Sequence, residues 1–238
     1  ELQAAREAWE QNRPDQAQTH AKEAIRNFTR AASAVADQDR SLQASYYHQA
    51  ARATQEILRD RTLPSVVRRQ YYGSFRDLLM KAYQADATHE ASIRMLADRA
   101  WGELQYFARE NNSRAIVDRA RETVRWLQEL IALQPDDAES RYRLAVAKSR
   151  LARLDETDSS WDTTAVEDFD AAIALQTAAD ANRPTGENRE PGDDYRLALV
   201  RYLAETDQDD EVTDRFEGFL EDDANDVGLR VHYAAYLR

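Results

Sequence analysis

Four histidines, His20, His48, His89 and His232, are the side chains best able to bind a metal or move a proton in this 238-residue chain. Imidazole does either most readily with a second ligand or base one helical turn away, where both side chains share a face. None of the four forms an i, i+4 pair with an acidic residue or another histidine. The stretch Asp222-Asp223-Ala224-Asn225-Asp226-Val227-Gly228 has the oxygen-rich look of a calcium loop. The frame with Gly228 sixth puts Val227 at a ligand position and Ala234 at the closing glutamate. It reads instead as a helix cap. There is no glycine-rich phosphate loop, and the absence of cysteine excludes disulfides and thiolate chemistry. Carboxylates are plentiful, but they do acid–base work only in a desolvated cleft, and here they cluster in polar loops. The expectation is therefore no catalytic residue, no metal and no cofactor.

The elements are helices throughout. With 6 Gly and 5 Pro against abundant Ala, Leu, Arg, Gln and Glu, the chain has few breakers and many helix formers. Apolar positions recur at i, i+3, i+4 and i+7 in about eleven segments. These run roughly 1–11, 14–35, 42–61, 64–84, 89–110, 113–133, 137–154, 161–175, 194–205, 210–221 and from 226 to the end. Residues 178–193, with two Pro and two Gly, read as a linker, and no alternation of period two is sustained. No run nears 18 apolar residues, so no membrane span is expected. A soluble chain follows, and a cytoplasmic location is compatible with it. It starts at Glu1 and ends on a helical pattern in mid-repeat, as a piece excised from a longer protein would.

Charge is uneven. Residues 1–133 hold 20 Lys+Arg against 18 Asp+Glu, and residues 134–238 hold 12 against 26, which together make the net −12. An acidic half argues against phosphate-backbone affinity, so no nucleic acid is expected as a partner. Only Lys22, Lys81 and Lys148 are lysine. That bias fits a high-GC, bacterial-like genome or a salt-adapted organism.

The tetrapeptide Tyr-Arg-Leu-Ala occurs at Tyr142–Ala145 and again at Tyr195–Ala198, each time inside an amphipathic helical pattern. The stretch Leu133-Gln134-Pro135-Asp136-Asp137 before the first copy resembles the junction between tetratricopeptide repeats, with a Leu-small pair following in helix A. Ala5, Ala17 and Ala24 keep that family's small-residue spacing. So do Ala145, Ala165, Phe169 and Ala172, with an insertion of about eight residues. Val212, Phe216 and Phe219 depart from it. The resemblance covers about 1–35 and 86–238, so two domains are expected, 1–85 and 86–238. It implies an all-α fold, a right-handed α-solenoid of stacked antiparallel helix pairs.

Such an array implies a concave groove lined by the first helix of each pair. The groove residues are then Tyr142, Arg143, Val146 and Arg150, followed by Tyr195, Arg196, Leu199 and Arg201, with Arg94 upstream. Arginine grips a carboxylate through two parallel hydrogen bonds, and tyrosine beside it offers a flat apolar wall. The implied function is a non-catalytic scaffold or adaptor holding a protein or peptide with acidic groups or a free C-terminus. Two alternatives stay open: a sensory or regulatory domain of a larger signalling protein, and a helical enzyme with a cleft near 178–193. The end of the chain, with Val231, Tyr233, Tyr236 and Leu237, also invites end-to-end contact.

Overall fold

The structure, a computed structural model, describes residues 1–36, 38–155, 158, 160–181, 195–222 and 226–237. Among them are eleven helices and no strand. Backbone packing divides the chain into two compact units, Glu1–Arg99 and Ala100–Arg238, and the division falls inside the fifth helix.

The first unit holds α1 (Leu2–Glu10), α2 (Pro14–Ala34), α3 (Arg40–Leu58), α4 (Ser65–Ala85) and the start of α5 (Glu90–Arg109). Successive helices pack together from α1 to α4, and α1 also touches α3. The α1–α2 turn is short because Asn12 takes a left-handed backbone (φ 56°) and Pro14 opens α2, where a missing N–H costs nothing. Ala17, Ala21, Ala24 and Ala32 form the buried stripe of α2, so its backbone approaches its neighbours closely. On α3, Ala44, Ala50, Ala51 and Ala53 are fully buried and spread over half the helix circumference, as suits a helix packed on both α2 and α4. The resemblance read from the sequence covers about 1–35 and 86–238, so these alanines lie outside it. Ala5, Ala21 and Ile57 meet where α1, α2 and α3 converge. Polar contacts reinforce the junction: Trp9 Nε1 donates to the Glu56 carbonyl at 3.1 Å, and Arg6 and Arg59 both bind the buried Glu56 carboxylate.

The second unit holds the end of α5, then α6 (Ser113–Leu133), α7 (Ala138–Leu154), α8 (Trp161–Ala181), α9 (Tyr195–Glu205), α10 (Asp209–Asp222) and α11 (Val227–Tyr236). From α6 onward each helix packs on the next. Side-chain caps start three of them: Asn112 accepts from Ala115 N, Asp137 from Ser140 N and Asp226 from Leu229 N. Ala145, Ala165, Phe169, Leu199, Leu203, Val212 and Phe216 form one core. Ala172 is fully buried on α8, and Phe219 packs against the core half-buried. The α8 helix runs to Ala181, past the expected end near Leu175 and into the first residues of the expected linker. Helix-compatible Thr177, Ala178 and Ala179 offer no breaker before Pro184. Positions 182–193 of that linker lie outside the described residues. Among the described residues no helix is long and apolar enough to cross a membrane.

Candidate functional site

Side chains of α5, α7 and α9 meet on one face of the second unit. On α7, residues 139, 143, 146 and 150 fall at i, i+4, i+7 and i+11, which places them in one stripe. Trp101, Leu104 and Gln105 share a face of α5 by the same rule. Tyr195 is the first residue of α9.

The two tyrosines of the repeated tetrapeptide stack on each other, with ring centroids 4.4 Å apart and planes 12° from parallel. Tyr195 is buried, and its hydroxyl donates to Glu139 Oε2 at 3.0 Å. The other Glu139 oxygen accepts from Arg143 Nε at 2.5 Å. One carboxylate thus ties the stacked tyrosines to an arginine. The guanidinium groups of Arg143 and Arg150 each lie 5.8 Å from the centre of the Trp101 ring, within cation–π reach.

Arg150 is half-buried and differs electrostatically from its neighbours. Its guanidinium donates to the Gln105 side-chain oxygen at 3.1 Å and to the Leu104 carbonyl at 3.5 Å, both neutral acceptors. Burial lowers its pKa from the ordinary arginine value, and the positive charge of Arg153 adds to the effect, against a smaller opposing influence of Tyr142. The other shielded cations of this unit sit beside carboxylates. Arg119 pairs with Glu103 and Glu122, Arg141 and Lys148 with Asp168, Arg143 with Glu139, Arg196 with Asp226, and Arg215 with Asp170. Among the described residues, Arg150 alone of this set has no carboxylate in ion-pair range.

The expected groove residues therefore separate. Tyr142, Arg143, Arg150 and Tyr195 come together. Arg196 is buried and reaches the Asp226 cap of α11 at 2.6 Å, so the two copies of the tetrapeptide direct their arginines to different ends. Arg201 is exposed, about 120° around α9 from Tyr195 by helix geometry. Arg94 lies in the first unit, 3.6 Å from Glu90 on its own helix. On α5, Trp101 lies between Leu96 and Leu104 in the sequence. Those leucines are fully buried, but Trp101 is half-exposed and receives both guanidiniums. Trp101, Glu139 and Gln105 have no sequence signal beyond their residue types, which many surface positions share.

The histidines are less scattered than their separate helices suggested. His48 on α3 and His89 just before α5 lie with ring centroids 5.4 Å apart. Ser92 Oγ is 2.8 Å from His89 Nδ1 and 3.4 Å from His48 Nδ1, and Ser45 Oγ is 3.3 Å from His89 Nε2. Burial, reinforced by His89 and Arg52, pushes His48 down to about 4. Ser92 is fully buried, so no substrate reaches its hydroxyl and the network serves to satisfy polar groups within the helix packing. At the start of the chain Glu1, His20 and Glu23 bring their ligand atoms within 4.8 Å of one another. The 2.7 Å contact between Glu1 and His20 Nδ1 accounts for part of that approach.

No family model matches the chain, and no match to it was found among curated proteins.

Proposed function

We propose that this chain is a non-catalytic protein–protein interaction scaffold. It holds a peptide segment against the face made by Trp101, Tyr142, Arg143 and Arg150, with the buried Tyr195 stacked on Tyr142 to support it. One observation carries the reading: three alternate helices, α5, α7 and α9, contribute aromatic and guanidinium groups to a single cluster. In a right-handed solenoid of tetratricopeptide-like hairpins, alternate helices are those that line the inner surface. Indole, phenol and guanidinium groups bind and stack, and they are enriched where proteins meet. The excess of acidic residues over 134–238 speaks against a nucleic-acid partner.

Site-specific photocrosslinking tests the reading. Benzoylphenylalanine replaces Tyr142 on the face, and in a separate variant it replaces Gln128, which is exposed on α6. The variant at position 142 is expected to crosslink a partner through one contiguous peptide, identified by mass spectrometry after digestion, while the variant at 128 does not. Equal yields from both positions would count against the face.

A further inference from the structure

We infer that Arg150 recognises acid on this face, taking the side-chain carboxylate of an aspartate or glutamate from an internal stretch of a partner peptide. The inference rests on the peptide-binding reading and names the chemistry of its ligand. Among the described residues, the other shielded cations of the second unit each have a carboxylate of the chain's own, and Arg150 has a carbonyl, an amide oxygen and an indole face. A half-buried guanidinium has shed part of its water and gains most from a charged acceptor, because its field is weakly screened there. The Trp101 ring holds the guanidinium from one side without satisfying its charge.

The surroundings select the source of that carboxylate. Arg143, the second cation over Trp101, is already bound to Glu139. The negative charge of Glu139 on the same stripe disfavours a run of acids, so one acidic residue flanked by apolar ones fits best. The half-buried Tyr142 ring, backed by the buried Tyr195 stacked on it, gives such flanking residues a wall. The stripe continues beyond Arg150, toward Glu139 in one direction and Arg153 in the other, so a crossing segment need not end there. A side chain also reaches a half-buried group on its own stem.

The test uses two arrays of synthetic seven-residue peptides, probed with the full chain. One array carries N-acetylated peptides anchored through their C-termini, and the other presents free C-termini. Sequences selected on the anchored array are resynthesised with both ends blocked, and their affinities are measured by fluorescence anisotropy for the unmodified chain and for Arg150→Gln. Selected peptides are expected to carry one Glu or Asp at a fixed place. Changing it to Gln is expected to weaken binding by about 10- to 100-fold, the loss of one charge-assisted contact. The Arg150→Gln chain is expected to bind the Glu and Gln peptides alike. Arg150→Met, which keeps the aliphatic stem, serves if circular dichroism shows the Gln variant misfolded. A preference for acid that survives loss of Arg150 overturns the inference and leaves the peptide reading standing. Binding confined to free C-termini overturns it in the same way. Binding to neither array overturns both.

Discussion

Lys148 and Arg150 stand two residues apart on α7 and meet opposite treatment. Lys148 is 8% exposed with Asp168 Oδ2 at 2.6 Å, while Arg150 is half-buried with no carboxylate in ion-pair range among the described residues. Removing one partner of a buried ion pair strands the other, whereas removing an uncompensated charge relieves a desolvation cost. Lys148→Met is accordingly expected to destabilise the chain by about 2–4 kcal/mol, Arg141 at 3.6 Å from Asp168 limiting the loss. Arg150→Met is expected to stay within about 1 kcal/mol of the unmodified chain, lost cation–π contact balancing relieved burial. Urea unfolding of the two variants separates them, and equal losses would show that Arg150 is compensated in some other way. In the first unit, His48 is pushed down to about 4 from 6.5, so the unfolded chain binds its proton first. The stability due to its neutral form is complete above pH 6.5 and drains away as pH falls toward 4. The total is at most about 3 kcal/mol. An imidazole NMR titration assigned to His48 checks the midpoint, and His48→Gln is expected to flatten the corresponding part of the pH–stability curve.

At the scale of helices, a cap can serve its own element or another one. Asp137 caps α7 through Ser140 N and its hydroxyl, and Asp226 caps α11 through Leu229 N while also binding the Arg196 guanidinium. Asp137→Ala is expected to cost about 1 kcal/mol, the usual worth of a cap. Asp226→Ala is expected to cost about 3 kcal/mol, because the carboxylate beside a buried guanidinium goes with the cap. Similar losses in thermal denaturation would mean that Arg196 finds a replacement acceptor. Most of the helices were legible because they have a 3.6-residue apolar period or a Pro, Asn or Asp at the start. The end of α8 was not, since the alanines after Leu175 fit a helix or a linker equally well and only packing decides. The buried alanines of α3 were hidden because alanine is both a good surface helix former and a close-packing residue. The site was half legible. Repetition of Tyr-Arg-Leu-Ala marked two tyrosines that stack, but the same motif could not show that Arg196 would turn toward a cap thirty residues later. Nor could period alone show that Trp101, in a run of buried leucines, would remain half-exposed.

For the whole molecule, net charge opposes the local chemistry of the face. The chain carries −12, with the acidic excess lying after residue 133, and an acidic peptide bound for Arg150 must approach through that field. Short-range and long-range electrostatics act on different rate constants. The contact at a half-buried guanidinium is made after encounter and shows mainly in the dissociation rate, whereas the field of all the charges acts on approach. Salt separates them: the screening length falls from about 30 Å at 0.01 M to about 10 Å at 0.1 M, which removes distant repulsion but leaves a shielded contact largely intact. A blocked peptide with one glutamate is therefore expected to associate about two- to fivefold faster at 0.1 M than at 0.01 M salt. Its dissociation rate is expected to change little. Most complexes built on charge attraction show the reverse dependence of the association rate. The Gln counterpart of the peptide, having less charge to repel, is expected to show a flatter response, and stopped-flow anisotropy measures both. If association slows as salt is added, the arginines around Trp101 dominate the potential well beyond their own contacts, and the net charge of the chain has no part in selecting its partner.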